Sequence, residues 1–162
     1  VLPVLITSGQ NSNTKKTATD KKEKSVPSAK TNEKSADVDA IKAVIERETK
    51  AYFSIDYKTW MECWIHSPSA YWSYADQEGI NYFEGWKSIE VGFNDYFVTS
   101  KAANIEIDRT WQEVKVYNNG AYARFKQTLT TDGVRGPVQV EIRVLEKEKN
   151  QWKILLVGVL KK

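Results

Sequence analysis

From residue 102 onward the chain is a succession of alternating apolar and polar residues cut by short turn sequences. ANIEIDRTWQEVKVY runs into NNG, AYARFKQTLT into TDG, VQVEIRVLEKE into KN, and QWKILLVGVL closes the chain. Alternation with a period of two marks strands, and Asn119-Gly120 and the Asp132-Gly133 pair supply the residues that two-residue hairpin turns require. This half of the protein is therefore expected to form three or four long antiparallel strands. In the third run Val138, Val140, Ile142 and Val144 share one face, and Gln139, Glu141 and Arg143 the other. The apolar face is expected to point at whatever covers the sheet, which leaves Glu141 and Arg143 outside.

The cover comes from upstream. VDAIKAVIERETKAYFSI places Val38, Ile41, Val44, Ile45, Glu48 and Tyr52 on one helical stripe, with Lys42 and Lys50 away from it. Asp56 or a neighbour offers a cap to a second helix, YKTWMECWIH, which Pro68 ends because the residue before a proline is pushed out of the helical region. Two short extended runs, AYWSYA and INYFEG, follow around the turn DQEG. A third helix, WKSIEVGFNDYFVTS, aligns Ile89, Phe93, Tyr96 and Phe97, with Gly92 as a weak point. Helix, helix, two short strands, helix and long strands make an α+β arrangement with helices on one face of a curved sheet. The outer face is expected to be solvated or to join two copies in a homodimer.

Composition divides the chain near residue 37. Residues 7–37 contain no aromatic residue and a single Val, too little apolar surface to offset the entropy of ordering them, so 1–37 is read as the end of a signal peptide followed by a disordered Lys-rich tether. The signal-peptide reading rests on the apolar VLPVLI and the small residues after it, and it favours a secreted or periplasmic location over a cytoplasmic one. Seven Lys and four acids lie within residues 1–37, whereas 17 basic and 17 acidic residues follow. A formally neutral domain over 38–162 has no bulk field to gather phosphates, so no nucleic-acid partner is expected. No run reaches the length of a transmembrane segment. The single Cys forbids an internal disulfide.

The long first helix, the short second one leading into AYWSY, the FEGWKSI step, the NNGAYARF hairpin and the closing EIRVLEKEKNQWKILLV together resemble the NTF2-like superfamily, near its SnoaL-like and DUF4440-like branches. The resemblance covers roughly residues 38 to 160. It implies a cone, with three helices packed in a strongly curved mixed, mainly antiparallel sheet that leaves a cavity at its open end. Members include isomerases, dehydratases, epoxide hydrolases, cyclases and proteins that bind or assemble without catalysis. The isomerase-type positions for a base and a second acid fall near Ser73 and near Val140 or Ile142, residues that cannot act as acids. Asp76 is the nearest carboxylate and is read as a turn residue.

The densest chemical signal is WMECWIHSPSAYWSY, residues 60–74, which holds the only His, Cys and Met. Trp60, Cys63 and Trp64 share a helix face, as core under the sheet or as flat contact for an apolar ligand. Cys63 is expected to lack a cationic partner and to stay an inert thiol. His66 ends the helix as a cap, and is the one weak candidate for a general base. One His and one Cys at this spacing make no metal site, and neither metal nor cofactor is expected. In the resembled fold Tyr71 and Ser73 face the cavity. Gln127, an amide among apolar positions, shares its face with Phe125, and Arg109 shares parity with Trp111. The candidate ligand-binding set is thus Tyr52, Trp60, Trp64, His66, Tyr71, Ser73, Arg109, Trp111, Phe125 and Gln127, with a small hydrophobic molecule as the expected partner.

Overall fold

The computed structural model describes residues 29–161. Helix α1 (Ala29–Phe53) and helix α2 (Tyr57–Glu62) precede strands β1 (Tyr71–Asp76) and β2 (Gly79–Glu84), then helix α3 (Trp86–Thr99) and the long strands β3 (Ile105–Tyr117), β4 (Gly120–Thr131), β5 (Val134–Glu148) and β6 (Gln151–Lys161). They form one six-stranded sheet in the order β2-β1-β6-β5-β4-β3. All neighbours are antiparallel except β1 and β6, which run parallel with Tyr71 opposite Leu156. The α+β class and mixed, mainly antiparallel sheet expected from the sequence are thus observed. Register shifts at Trp111/Glu113 on β3 and Thr128/Thr130 on β4 mark bulges, which bend strands and increase their twist.

Four boundaries differ from the sequence reading. Helix α1 begins at Ala29, nine residues before Val38. AKTNEKSAD holds good helix formers and no Gly or Pro, but it is polar on every side, so it carries no apolar stripe to announce it. Asp37, assigned to the tether, accepts from Trp152 Nε1 at 2.9 Å and meets Lys147 Nζ at 2.7 Å. These bonds hold its carboxyl below the usual range. The signal-peptide segment and residues 7–28 of the expected tether lie outside the described residues. Helix α2 has the expected Asp56 cap, accepting from Thr59 N at 3.0 Å, but ends at Glu62. The chain there leaves the helix to pair with β6: Ile154 N donates to Cys63 O and Ile65 N to Ile154 O, both at 2.8 Å. In the first long hairpin the turn residues are Asn118 and Asn119, with φ of 53° at Asn118, while Gly120 pairs with Tyr117. Asn tolerates that left-handed conformation, so Gly is not needed at the turn itself.

The most consequential difference lies on β5, where the expected inside and outside are exchanged. Glu141 and Arg143 are buried, at 2 % and 4 % exposure, and Val138 is exposed at 53 %. Register explains the exchange: Arg143 pairs with Ala123 and Val157, and Val157 with Trp72, all on the helix-facing side. Ile142 is in register with Gly158, and Gly158 with Ser73, on the outer side. Polar residues occupy the inner face because they pair there with one another and with α1.

The core is aromatic. Trp60, 1 % exposed, is ringed by Phe97, Phe93, Trp86 and Trp64, with centroids 4.9, 5.4, 5.7 and 5.8 Å away. Ile41 and Ile45 from α1, Ile89 from α3 and Phe125, Leu145 and Ile154 from the sheet complete it, each wholly buried. No described helix is long and apolar enough to cross a membrane.

Gly92 in α3 has a packing reason. A Cβ there would overlap the Phe83 ring, which is fixed by Trp72 at 5.6 Å and Phe93 at 5.7 Å. Gly92→Ala gains about 1 kcal/mol of helix propensity, and overpacking costs about 1–3 kcal/mol. A lower thermal midpoint is expected; a raised one would show that the ring has room to move.

Candidate functional site

A cavity of about 220 Å3 opens between the C-terminal half of α1 and the inner face of the sheet. Its apolar wall is Tyr52 and Phe53 from α1, Phe93 from α3, Trp72 and Tyr74 from β1, and Val157 and Val159 from β6. Its polar side is Glu48 and Thr49 from α1, Gln127 from β4, and Gln139, Glu141 and Arg143 from β5. Each β residue arrives by the period of two: Gln139, Glu141 and Arg143 are alternate positions of one strand, as are Trp72 and Tyr74 of another.

The polar groups form one buried cluster. Arg143 Nη2 lies 2.6 Å from Glu141 Oε2 and 3.9 Å from Glu48 Oε2, and all three side chains are less than a tenth exposed. Glu48 Oε1 accepts from Trp60 Nε1 at 3.0 Å, tying the cluster to the core. Gln127 donates through Nε2 to Glu141 Oε1 and accepts through Oε1 from Arg109, at 2.7 Å from Nη2 and 3.1 Å from Nε. Arg109 Nη2 also donates to Thr49 Oγ1 at 2.9 Å, and its guanidinium lies 4.4 Å from the Phe125 ring centre. Two guanidinium groups therefore face two buried carboxylates, where pairing offsets part of the desolvation cost. Burial pushes the Glu48 carboxyl above its usual range despite the attraction of Arg143. Burial likewise lowers Arg109 and raises the Tyr52 phenol.

The structure divides the candidate residues. Tyr52 and Gln127 line the cavity. Arg109 and Phe125 support its polar side from behind, and Trp111 packs on Phe125 at 4.9 Å. Trp60 and Trp64 are core: Trp60 touches the site through its bond to Glu48 and its packing on Phe93 without lining the cavity, and the Trp64 indole N–H is buried without a partner. Tyr71 and Ser73 sit on the opposite face of β1 from the cavity, Tyr71 stacking on Tyr82 at 6.2 Å and Ser73 lying against Gly158. The register of β1 on β6 turns the even-numbered Trp72 and Tyr74 inward instead. His66 is exposed, bonded to Met61 O at 3.0 Å and stacked on Trp86 at 4.1 Å. It caps the second helical segment and faces no carboxylate of the cavity. Cys63, contrary to expectation, has a cationic neighbour: Arg47 Nε donates to its Sγ at 3.2 Å. Burial still raises the thiol, which itself donates to Thr59 O.

Glu48 and the Glu141–Arg143 pair were absent from the sequence-derived set. The available signal was Glu48 itself, the one acid on an otherwise apolar helical stripe. A buried acid needs a buried base, and on the long strands the inward partner could only be sought on a polar face. Glu141, between Val140 and Ile142, faces inward, whereas its two neighbours do not.

Among solved structures this chain is similar to a proposed dehydratase of the NTF2-like family from Streptomyces avermitilis, at 14 % identity and a TM-score of 0.66, covering 79 % of this chain and 97 % of that one. It is also similar to a proposed calcium/calmodulin-dependent protein kinase type II association domain from Thiobacillus denitrificans (12 %, 0.62, 75 % and 94 %). An NTF2-like protein of unknown function from Shewanella oneidensis matches as well (15 %, 0.60, 77 % and 99 %). No protein-family model matches the sequence, and no curated protein matches it. The fold is NTF2-like. Likeness at these identities reaches the fold and not the activity.

Glu48 makes stability depend on pH in a direction that can be worked out. A carboxyl whose pKa is raised by folding binds its proton more tightly in the folded chain. Its contribution is most favourable where it is protonated in both states, and declines as pH rises from the usual glutamate range through the raised value. Glu48→Gln cannot titrate, so the stability of wild type relative to this variant should fall across that window in urea unfolding. A difference independent of pH would mean that Glu48 is not shifted.

Proposed function

We infer that this domain binds a small hydrophobic molecule in the cavity beneath α1, without converting it. The observation that carries the reading is the division of one small space into an aromatic and aliphatic wall and a largely buried polar side, the arrangement in which apolar contact supplies affinity and a few polar groups fix orientation. Size limits the ligand. Drug-sized ligands occupy roughly 300–1,000 Å3, and an engineered cavity of about 150 Å3 holds benzene, so 220 Å3 suits a molecule built on one ring. Export and the SnoaL-like affiliation belong to the same reading; the first rests on VLPVLI and the small residues that follow it, the second on the order of elements.

Titration with ethylbenzene, followed by amide chemical shifts, should perturb Trp72, Tyr74 and Gln139, and Val159→Trp, which fills the cavity, should abolish the response. Shifts confined to the outer sheet face, or none, would remove the reading.

A second reading, a lyase, isomerase or hydrolase acting on such a compound, is favoured by Glu48: a cavity-lining carboxyl raised by burial can hold a proton for transfer. Native mass spectrometry of protein from its own host separates the two. A retained compound of unchanging mass supports binding, whereas conversion that Glu48→Gln abolishes supports catalysis. The same spectrum gives the subunit number, for which a homodimer is proposed through the outer face carrying Val138, Tyr82, Ile80 and Leu160, each more than half exposed. A monomer would remove that part.

A further inference from the structure

Of the two acids beside the cavity, Glu48 is the one whose charge is poorly met. Arg143 Nη2 stands 2.6 Å from Glu141 Oε2 but 3.9 Å from Glu48 Oε2, and Gln127 adds a hydrogen bond to Glu141. The firm bond to Glu48 comes from a neutral donor, the Trp60 indole, at 3.0 Å from Oε1. Near Oε2 the Thr49 hydroxyl lies 3.5 Å away, and it also donates to Ile45 O at 2.9 Å. Arg109 on β3 gives its hydrogen bonds to Thr49 and Gln127. The remaining titratable neighbours offer no further base. Glu141 on β5 repels a charge on Glu48, while Tyr52 on α1, Cys63 after α2 and Tyr74 on β1 bear no positive charge in any protonation state.

This carboxyl also borders the space that a ligand would fill. Glu48 lines the same cavity as Trp72, Phe93 and Val157. The cavity opens to solvent, which screens a charge on its wall. A ring that takes the space puts a medium of low dielectric in place of that solvent, and so disfavours the ionised form of a carboxyl beside it. Glu141 has Arg143 close by to offset the change, whereas Glu48 has no base at hydrogen-bonding distance. The protonated form of Glu48 carries no charge to desolvate, and its carbonyl oxygen can still accept from Trp60. Burial already biases the group toward that form, holding its pKa above the usual glutamate range in the ligand-free protein. Ligand and proton therefore favour one another, and by linkage each raises the affinity of the other by the same factor.

We propose that occupancy of the cavity by an uncharged ring is coupled to proton uptake by Glu48, so that the domain holds such a molecule at acid pH and releases it as pH rises. This coupling rests on the binding reading above, and the two can fail separately. The sign follows from the linkage. Affinity is highest where Glu48 is protonated with and without ligand, declines as pH rises through the ligand-free and then the ligand-bound pKa, and is level beyond. Ethylbenzene titrated by calorimetry into wild type and Glu48→Gln, between about pH 5 and pH 9, forms the test. A ligand that raises the Glu48 pKa by one unit would lose about tenfold in affinity over that range, and the glutamine variant should lose none. Within the window, wild type titrated in two buffers of different protonation enthalpy should take up a fraction of one proton per ligand, a readout that needs no variant. Affinity of wild type independent of pH, without proton uptake, would overturn the coupling and leave a hydrophobic site. Affinity that rises with pH, or that falls equally in Glu48→Gln, would overturn the assignment to Glu48. Failure of ethylbenzene to bind at any pH would overturn the coupling and the binding reading together.

Discussion

Arg143 occupies a place that a strand packed under helices ordinarily gives to an aliphatic residue. An isolated guanidinium there would be prohibitively costly, so its presence dictates its surroundings. Glu141 reaches it from two residues away on the same strand, and Glu48 reaches it from α1. Gln127 then fixes Glu141, Arg109 fixes Gln127, and Thr49 fixes Arg109 back to α1. The result is a closed set of contacts between one helix and three strands. It also specifies register, because a one-residue slip of β5 would exchange these groups for Val140 and Ile142 and leave Glu48 without a base.

The same set explains why a cavity exists beside it. Trp60 packs the base of the cone with large rings and turns its indole N–H toward Glu48, so the aromatic core ends where the charges begin. Beyond that line Trp72, Tyr74 and Tyr52 line one side of the cavity and the polar residues the other. A small space remains, walled by rings on one side and by anchored hydrogen-bonding groups on the other. Rigid anchoring is what a selective site requires, since groups already held in place lose little entropy when a ligand arrives.

Much of the architecture was legible in the sequence because it is written in periodicity. The order of three helices, two short strands and three or four long ones, the cap at Asp56 and the alternation on the long strands all follow from local patterns. The N-terminal turns of α1 were not, since a helix polar on every side resembles a tether. Facing was the deeper failure. Alternation tells which residues of a strand share a side but not which side is inward, and hydrophobicity answers wrongly when the inward groups neutralise one another. Hence Tyr71 and Ser73 were expected in the cavity in place of Trp72 and Tyr74, and Glu141 and Arg143 were expected outside. Gln127 was found because an amide next to Phe125 has no apolar excuse. Glu48 carried the same signal on α1 without a visible partner, because that partner is 95 residues away in the chain.

The central claim, that β5 turns its charges inward, is open to a single direct measurement: the urea unfolding free energy of Arg143→Met. Met preserves most of the side-chain volume and removes the charge, leaving Glu48 and Glu141 buried without their base. A loss of about 3 kcal/mol or more is predicted, as for other buried pairs stripped of one partner. A change within about 0.5 kcal/mol, the ordinary range for a surface substitution, would place Arg143 on the solvated face and contradict the account.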